Sequence, residues 1–244
     1  MNRTVLISDM HLSADSADLN ALFRAQLQNW AGKIDALYLL GDVFDAWIGD
    51  DEPDATLNDL IAAMHAFSRH TPLFVMRGNR DFLLGADFAQ RSGATLLDDP
   101  YLADFYGKKW LLTHGDAMCT DDVPYQQFRA QSRNPLWQAA VLAKPLAERK
   151  MLAAQIRAVS EHKKGDADQY EISDVTEAGL QALQAQLGAD APQDVIHGHT
   201  HRPQEHQHQY NGHHYRRFVL QDWHNGQGGC LNVYADGSVS AERF

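Results

Sequence analysis

Cysteine is scarce in this chain, with only Cys119 and Cys230 among 244 residues. Two cysteines cannot build a disulfide framework, and they are expected to stay reduced thiols in a cytoplasmic protein. Long apolar stretches are missing too. Residues 1–9 reach Asp9 after one short apolar run, unlike a signal peptide. Nowhere do about 20 apolar residues follow one another, as a bilayer span requires. Positive charge is also short: 21 Lys and Arg against 32 Asp and Glu give a formal net charge of −11 and a pI near 5.5. Nucleic-acid binders usually carry a basic footprint that neutralises phosphates, so no nucleic-acid partner is expected. No obligate protein partner is expected either. There is no internal repeat, low-complexity tract or Gly/Ser-rich linker. With 44% hydrophobic residues the chain can fill one substantial core, and we read 1–244 as a single domain carrying an insertion.

Short apolar runs recur at 5–7, 36–40, 73–76, 110–113 and 195–196, with periodic polar and apolar segments between several of them. This alternation predicts buried strands linked by helices in a layered α/β fold. Leu19, Leu22, Phe23, Leu27 and Trp30 stand at helical spacing over 18–30, and 57–67 repeats the pattern, so both are read as crossover helices. Residues 204–210 and 213–220 flank Asn211-Gly212, a dipeptide suited to a tight hairpin turn.

The basic residues concentrate in 123–164. Arg129, Arg133, Lys144, Arg149, Lys150, Arg157, Lys163 and Lys164 face only Glu148 and Glu161 there, a surplus of six positive charges in an acidic chain. Leu136, Trp137, Val141, Leu142, Leu146, Met151, Leu152 and Ile156 form helical stripes, and Pro135 and Pro145 mark natural helix starts. We read the segment as a basic helical insertion. Composition alone favours an ordinary amphipathic hairpin packed on the core over a lid.

Polar clusters follow each of the five runs. They are Asp9-x-His11, Gly41-Asp42-x-x-Asp45, Gly78-Asn79-Arg80-Asp81, His114-Gly115-Asp116 and His197-Gly198-His199-x-His201. In a doubly wound sheet the strand C-termini converge on one crevice, where residues distant in sequence meet. The ligand types are carboxylate, imidazole and one amide oxygen without cysteine, which suits Mn, Fe, Zn or Ni. Seven ligands are too many for one ion. With Asp42 as a bridge they divide into Asp9, His11, Asp42 and His199 on one metal, and Asp42, Asn79, His114 and His197 on the other. Metals bridged in this way lie about 3.5 to 4 Å apart and serve in-line displacement at phosphorus. Any one cluster alone is commonplace as turn residues at a strand end; five in this order make a two-metal phosphoesterase.

The ordered set resembles the calcineurin-like metallophosphoesterase superfamily, whose members carry it on a β-sandwich core flanked by helices. The resemblance therefore implies a calcineurin-like α/β fold with a β-sandwich, flanking helices and a helical lid insertion, in place of one doubly wound sheet. More narrowly, Gly78-Asn79-Arg80-Asp81, Asp50-Asp51 after Ala46-Trp47-Ile48-Gly49, Cys119-Thr120-Asp121-Asp122 and residues 197–203 resemble the UDP-2,3-diacylglucosamine diphosphatases of lipid A biosynthesis. That likeness spans nearly the whole chain. These enzymes split the pyrophosphate of UDP-2,3-diacylglucosamine into UMP and the lipid 1-phosphate, with manganese, at the cytoplasmic face of the inner membrane. The resemblance thus implies two divalent ions (Mn2+), a lipid-linked sugar-nucleotide substrate and peripheral attachment to the cytoplasmic membrane surface. Carried over residue by residue, it places Asp42, Asn79, Arg80 and His114 in catalysis. Asn79 and Arg80 would contact phosphate, with His197 also touching substrate, and Asp122 and Ser160 would lie around the glucosamine. A lysine near the end of the insertion completes the set, Lys164 in preference to Lys163.

Two features favour the narrower reading on chemical grounds. Many superfamily members have histidine where this chain has Arg80, and that histidine can protonate an alkoxide leaving group. Arginine does not release its proton. A phosphate leaving group, with a second pKa of about 6, needs charge neutralisation rather than an acid. The basic insertion is the other feature, since anionic headgroups attract basic segments by about 1 kcal/mol per residue near the surface. Rival expectations are a phosphoesterase acting on a soluble dinucleoside polyphosphate or phosphoprotein, and a binding scaffold that has lost catalysis. His206, His208, His213 and His214 read as an exposed hairpin rather than a third metal site. His201 and His224 either orient ligands from behind or are packed rings.

Overall fold

Each apolar run becomes a strand, and the helical stripes become the helices that cover them. In this computed structural model the described residues are 2–52, 54–163, 172–186 and 192–244, with side chains for all of these but 159–163. The order is β1 (Arg3–Ile7), α1 (Ala17–Trp30), β2 (Ala36–Leu40), α2 (Ala55–Ser68), β3 (Leu73–Met76), α3 (Ala86–Ser92), β4 (Thr95–Leu97), β5 (Tyr101–Phe105) and β6 (Lys108–Leu112). A short 3-10 turn (Asp116–Met118) leads into α4 (Val123–Ser132), α5 (Pro135–Leu142) and α6 (Leu146–Lys163). There follow α7 (Glu177–Gln186), β7 (Asp194–His197), β8 (Glu205–Tyr210), β9 (His213–Val219), β10 (Gly229–Tyr234) and β11 (Val239–Arg243).

The strands form two sheets, one ordered β11-β10-β1-β2-β3-β4 and the other β5-β6-β7-β9-β8. Strands β1 to β4 run parallel, with β10 and β11 added antiparallel at one edge. In the second sheet β6, β7 and β9 are parallel, and β5 and β8 are antiparallel edges. The two sheets are the sandwich that the resemblance implied, in place of the single doubly wound sheet that the strand–helix alternation alone suggested. Parallel neighbours and apolar runs look the same in either architecture, because a buried strand is covered on both faces in both.

Side-chain alternation decides what each strand face meets. Val5, Ile7, Leu37, Leu39 and Val75 join Phe23 and Leu27 of α1 and Leu60 and Met64 of α2 in one core. Leu6, Leu40 and Met76 point the other way, toward Trp110, Leu112 and Ile196 of the second sheet. Leu111 and Val195 cover that sheet's far face with Leu180 and Leu183 of α7. The layers run helix, sheet, sheet, helix.

Caps fix the helix starts. Asp54 accepts from Leu57 N at 3.0 Å to open α2. Asn134 accepts from Leu136 N at 2.8 Å just before Pro135, the first residue of α5. The hairpin of β8 and β9 turns through Asn211 and Gly212, with φ of 50° and 80°. Cys119 and Cys230 are both free and buried. Among the described residues no helix is long and apolar enough to cross a membrane.

Candidate active site

The sandwich brings the carboxyl ends of β1, β2, β3, β6 and β7 together, and the loops there are stitched to one another. Asp9 N donates to Gly41 O at 3.1 Å, Met10 N and His11 N both donate to Asp42 O, and Gly198 N donates to His114 O at 3.0 Å. Asp9, His11, Asp42, His199 and His201 all hold left-handed backbone, with φ between 48° and 67°. Non-glycine residues adopt that region rarely, Asp and His more readily than most, and it persists where surroundings over-determine it. Glycine is required beside them. A side chain on Gly41 (φ 91°) would meet His114 Nδ1, and one on Gly78 would run into the Asp42 carboxylate and backbone N.

Asp9 and Asp42 are 1% and 2% exposed and His114 is fully buried. Asp9, Asp42 and His114 offer ligand atoms all within 4.8 Å of one another, and so do Asp9, His11 and His201. Asn79 Oδ1 lies 2.9 Å from both His114 Nε2 and His199 Nδ1. His201 Nε2 is 3.3 Å from Asp9 Oδ1 and 3.5 Å from His11 Nε2. Arg80 stands at the rim, its backbone N donating to Asp42 Oδ1 at 2.8 Å and its Nη1 lying 3.4 Å from Asp45 Oδ1.

The polarity of these contacts tests whether a cation fits. His114 Nδ1 is 2.9 Å from the Leu40 carbonyl, which can only accept, so Nδ1 carries the hydrogen. Nε2 then faces two more acceptors, Asn79 Oδ1 at 2.9 Å and Asp42 Oδ1 at 3.7 Å. A proton or a metal cation between them satisfies that arrangement. Burial, with Asp81 and Asp9 adding to it, pushes Asp42 up to about 7 against the pull of His114 and Arg80. Burial favours neutral His114, but Asp42, Asp9 and Asp116 outweigh it and raise the ring to about 9. Burial opposes charge on Asp9 as well, yet His201, His114 and His11 hold its carboxyl well below the usual range. Buried negative charge facing imidazole nitrogens and an amide oxygen is the donor set of a divalent transition metal.

Six of the seven expected ligands, Asp9, His11, Asp42, Asn79, His114 and His199, converge here. His197 does not. It is fully buried, its Nδ1 2.7 Å from Gly198 O and its Nε2 3.0 Å from Arg217 Nη1. As the last residue of β7 it shares a strand face with Val195, the face turned toward α7 and away from the cluster. Its expected places on a metal and on substrate are corrected accordingly. His199 stands where His197 was expected, beside Asn79 and His114, and His201 takes the place expected of His199, beside Asp9 and His11, since both 199 and 201 lie past the strand end. The signal was available: the alternation of Asp194-Val195-Ile196-His197 puts the first histidine in register with a core valine.

Other groups support the cluster. Asp81 accepts from Gly78 N at 2.6 Å and Val43 N at 2.8 Å, tying two site loops together. Asp116 accepts from Tyr125 OH at 2.6 Å, and the Tyr125 ring lies 5.6 Å from that of His199. Asp122 caps α4, accepting from Tyr125 N at 3.1 Å. Lys164 and the side chain of Ser160 lie outside the described residues. His224 is 3.0 Å from Asp222 Oδ2, and His208 stacks on Tyr215 in the hairpin.

A family model described as calcineurin-like phosphoesterase matches residues 3–203. The UDP-2,3-diacylglucosamine hydrolase of Chromobacterium violaceum is 54% identical over 233 residues, covering 96% of this chain and 95% of that protein. Proteins of the same name from Xanthomonas axonopodis pv. citri and Stenotrophomonas maltophilia are 46% identical over 242 and 241 residues, with 96% of each chain covered. The matched span carries every residue of the cluster, from Asp9 to His201. With that site on a two-sheet sandwich, the chain belongs to the calcineurin-like phosphoesterase family of metal-dependent hydrolases.

Proposed function

We propose that the chain hydrolyses the pyrophosphate of UDP-2,3-diacylglucosamine, giving UMP and 2,3-diacylglucosamine 1-phosphate. The observation that carries this reading is 54% identity, over 96% of the chain, to a protein named for that substrate. Asp9, His11, Asp42 and His201 would hold one ion, and Asp42, Asn79, His114 and His199 the other, with manganese as the metal. When bound, such a pair polarises phosphorus–oxygen bonds and makes water a nucleophile near neutral pH. His114 is oriented by Leu40 O so that Nε2 is presented to the site. Arg80 steadies the charge on the leaving phosphate, and its own orientation is held by Asp45. Asp122, Ser160 and Lys164 remain the residues proposed around the sugar.

Helices α4, α5 and α6 form the proposed lid within a single 1–244 domain. Between them lies a largely apolar cavity of about 420 Å³, lined by Phe128, Trp137, Val141, Leu152 and Ile156. Acyl chains fit that lining, and a soluble dinucleotide or phosphopeptide would leave it unused. Leu136 and Met151 are 82% and 60% exposed on the same helices, among basic residues, which supports peripheral attachment to the cytoplasmic side of the inner membrane.

The test is release of UMP from the diacylated substrate against cleavage of a dinucleoside polyphosphate under the same manganese conditions. Preference for the soluble compound, or turnover that survives a chelator, overturns the reading.

A further inference from the structure

The buried pair Arg217 and His197 has no part in the mechanism above. Arg217 sits on β9, whose pairing with β7 places it beside Val195, and it is 5% exposed. Its Nη1 is 3.0 Å from His197 Nε2 and its Nε is 3.1 Å from His208 Nε2. A guanidinium has donors only, so both imidazole nitrogens that face it must be acceptors. For His197 this settles the tautomer. The hydrogen is on Nδ1, and it is donated to the Gly198 carbonyl at 2.7 Å.

Gly198 is the first residue of the loop that carries His199 and His201. Its carbonyl also accepts from Thr200 N at 2.8 Å, and its own N donates to His114 O at 3.0 Å. The Asp9 carboxylate and the Ser8 hydroxyl fill the space a side chain would need there. The next residue, His199, donates its N to Asp9 Oδ2 at 2.9 Å. His199 and His201 then take φ of 67° and 54°, a conformation that needs a fixed surrounding.

We propose that Arg217 and His197 are positioning residues: Arg217 selects the Nδ1–H tautomer of His197, which clamps the Gly198 carbonyl and so sets the loop that presents His199 and His201. His197 acts on the metals through the backbone, without touching them. The inference rests on the metal-site reading above.

Asparagine distinguishes this role from direct ligation, because its amide N–H falls where Nδ1–H lies while nothing reaches the position of Nε2. Manganese binding is measured by titration of wild type, His197→Asn and His197→Leu, with the melting temperature of each taken in chelator. Loss of an outer partner of a metal ligand costs about 10- to 100-fold in affinity. The expected result is a loss of that size in His197→Leu and near-wild-type affinity in His197→Asn, at matched chelator melting temperatures. Equal losses in the two variants overturn the proposal. Should His197→Leu fail to fold, the ring nitrogens of His197 in zinc-loaded wild type decide by NMR. An Nδ1–H tautomer with an uncoordinated Nε2 is expected; an Nε2–H tautomer or a zinc-coordinated ring overturns it. Wild type that takes up no metal would sink the metal-site reading itself, a different outcome from either variant result.

Discussion

Arg149, on the first turn of α6, donates through Nη1 to Asp51 Oδ1 at 2.7 Å, across the join between the helical segment and the loop after β2. The same nitrogen reaches Ile48 O at 2.7 Å and Nε reaches Lys144 O at 3.1 Å, so one cation holds three backbone or carboxylate acceptors. Asp51 is 64% exposed while Arg149 is 4% exposed, which makes the arginine the member whose loss is felt. Arg149→Met leaves two carbonyls short of a donor. The unfolding free energy in denaturant is expected to fall by about 1 to 3 kcal/mol. If α6 belongs to the lid, KM for the acylated substrate rises more than kcat falls; an unchanged KM would separate this anchor from substrate binding.

Gly78 packs its Cα hydrogen against Asp42, where a methyl group would overlap the carboxylate and the backbone N. Asp42 Oδ1 also accepts from Arg80 N at 2.8 Å, so the two loops cannot part without losing that bond. Gly78→Ala therefore shifts the carboxylate proposed to bridge the metals. A displacement near 1 Å at a reacting centre costs about 100-fold, and kcat/KM is expected to fall at least that far while circular dichroism stays native. Wild-type turnover in this variant would mean that Asp42 is not held where the reaction needs it.

Much of this was legible before the fold was known. The five apolar runs correspond to β1, β2, β3, β6 and β7, and the polar residues after them meet because parallel strands end on one side. What was hidden has physical reasons. Strand β11 reads Val-Ser-Ala-Glu-Arg on an exposed edge, so no apolar alternation marks it. Strand β10 buries Asn232 in mid-strand, where its amide donates toward Ser240 O, and a polar core residue breaks the hydrophobic signal. The choice between His197 and His201 turned on where β7 stops. Motif spacing alone could not decide it, since 197/199 and 199/201 are the same interval; the register of His197 with Val195 on β7 could.

Asp194, at the start of β7, gathers Lys108 Nζ at 2.6 Å, Arg216 N at 2.7 Å and Arg216 Nη2 at 2.9 Å. Burial works against its charge, but Lys108 and Arg216 outweigh it and hold the carboxyl below its usual value of 3.8. A carboxyl lowered in the folded state stabilises above its unfolded pKa, and that contribution is lost as pH falls through the folded value. Asp194→Asn is therefore expected to cost about 1.5 to 3 kcal/mol at pH 7. The gap to wild type should narrow once pH drops below 3.8, read by denaturant titrations at several pH values. A gap that stays constant into acid would remove charge from the explanation.

Asp42, Asp9 and Asp81 crowd three carboxylates into a buried site, and the cation that balances them is the proposed metal pair. Metal that binds only the folded chain stabilises it by about 2.7 kcal/mol at a hundredfold excess over Kd. For a chain of this size each kcal/mol is worth about 2 to 4 °C, so manganese should raise the melting temperature by about 5 to 10 °C and a chelator should reverse it. Asp42→Asn separates the two effects. The amide keeps an acceptor for Arg80 N and removes one of the mutually repelling carboxylates, so the metal-free protein should melt no lower than wild type. The bridge is lost, however, and the manganese-induced rise should all but vanish with activity. A full metal-induced rise in Asp42→Asn would show that Asp42 does not bridge, and the division of ligands around it would have to be redrawn.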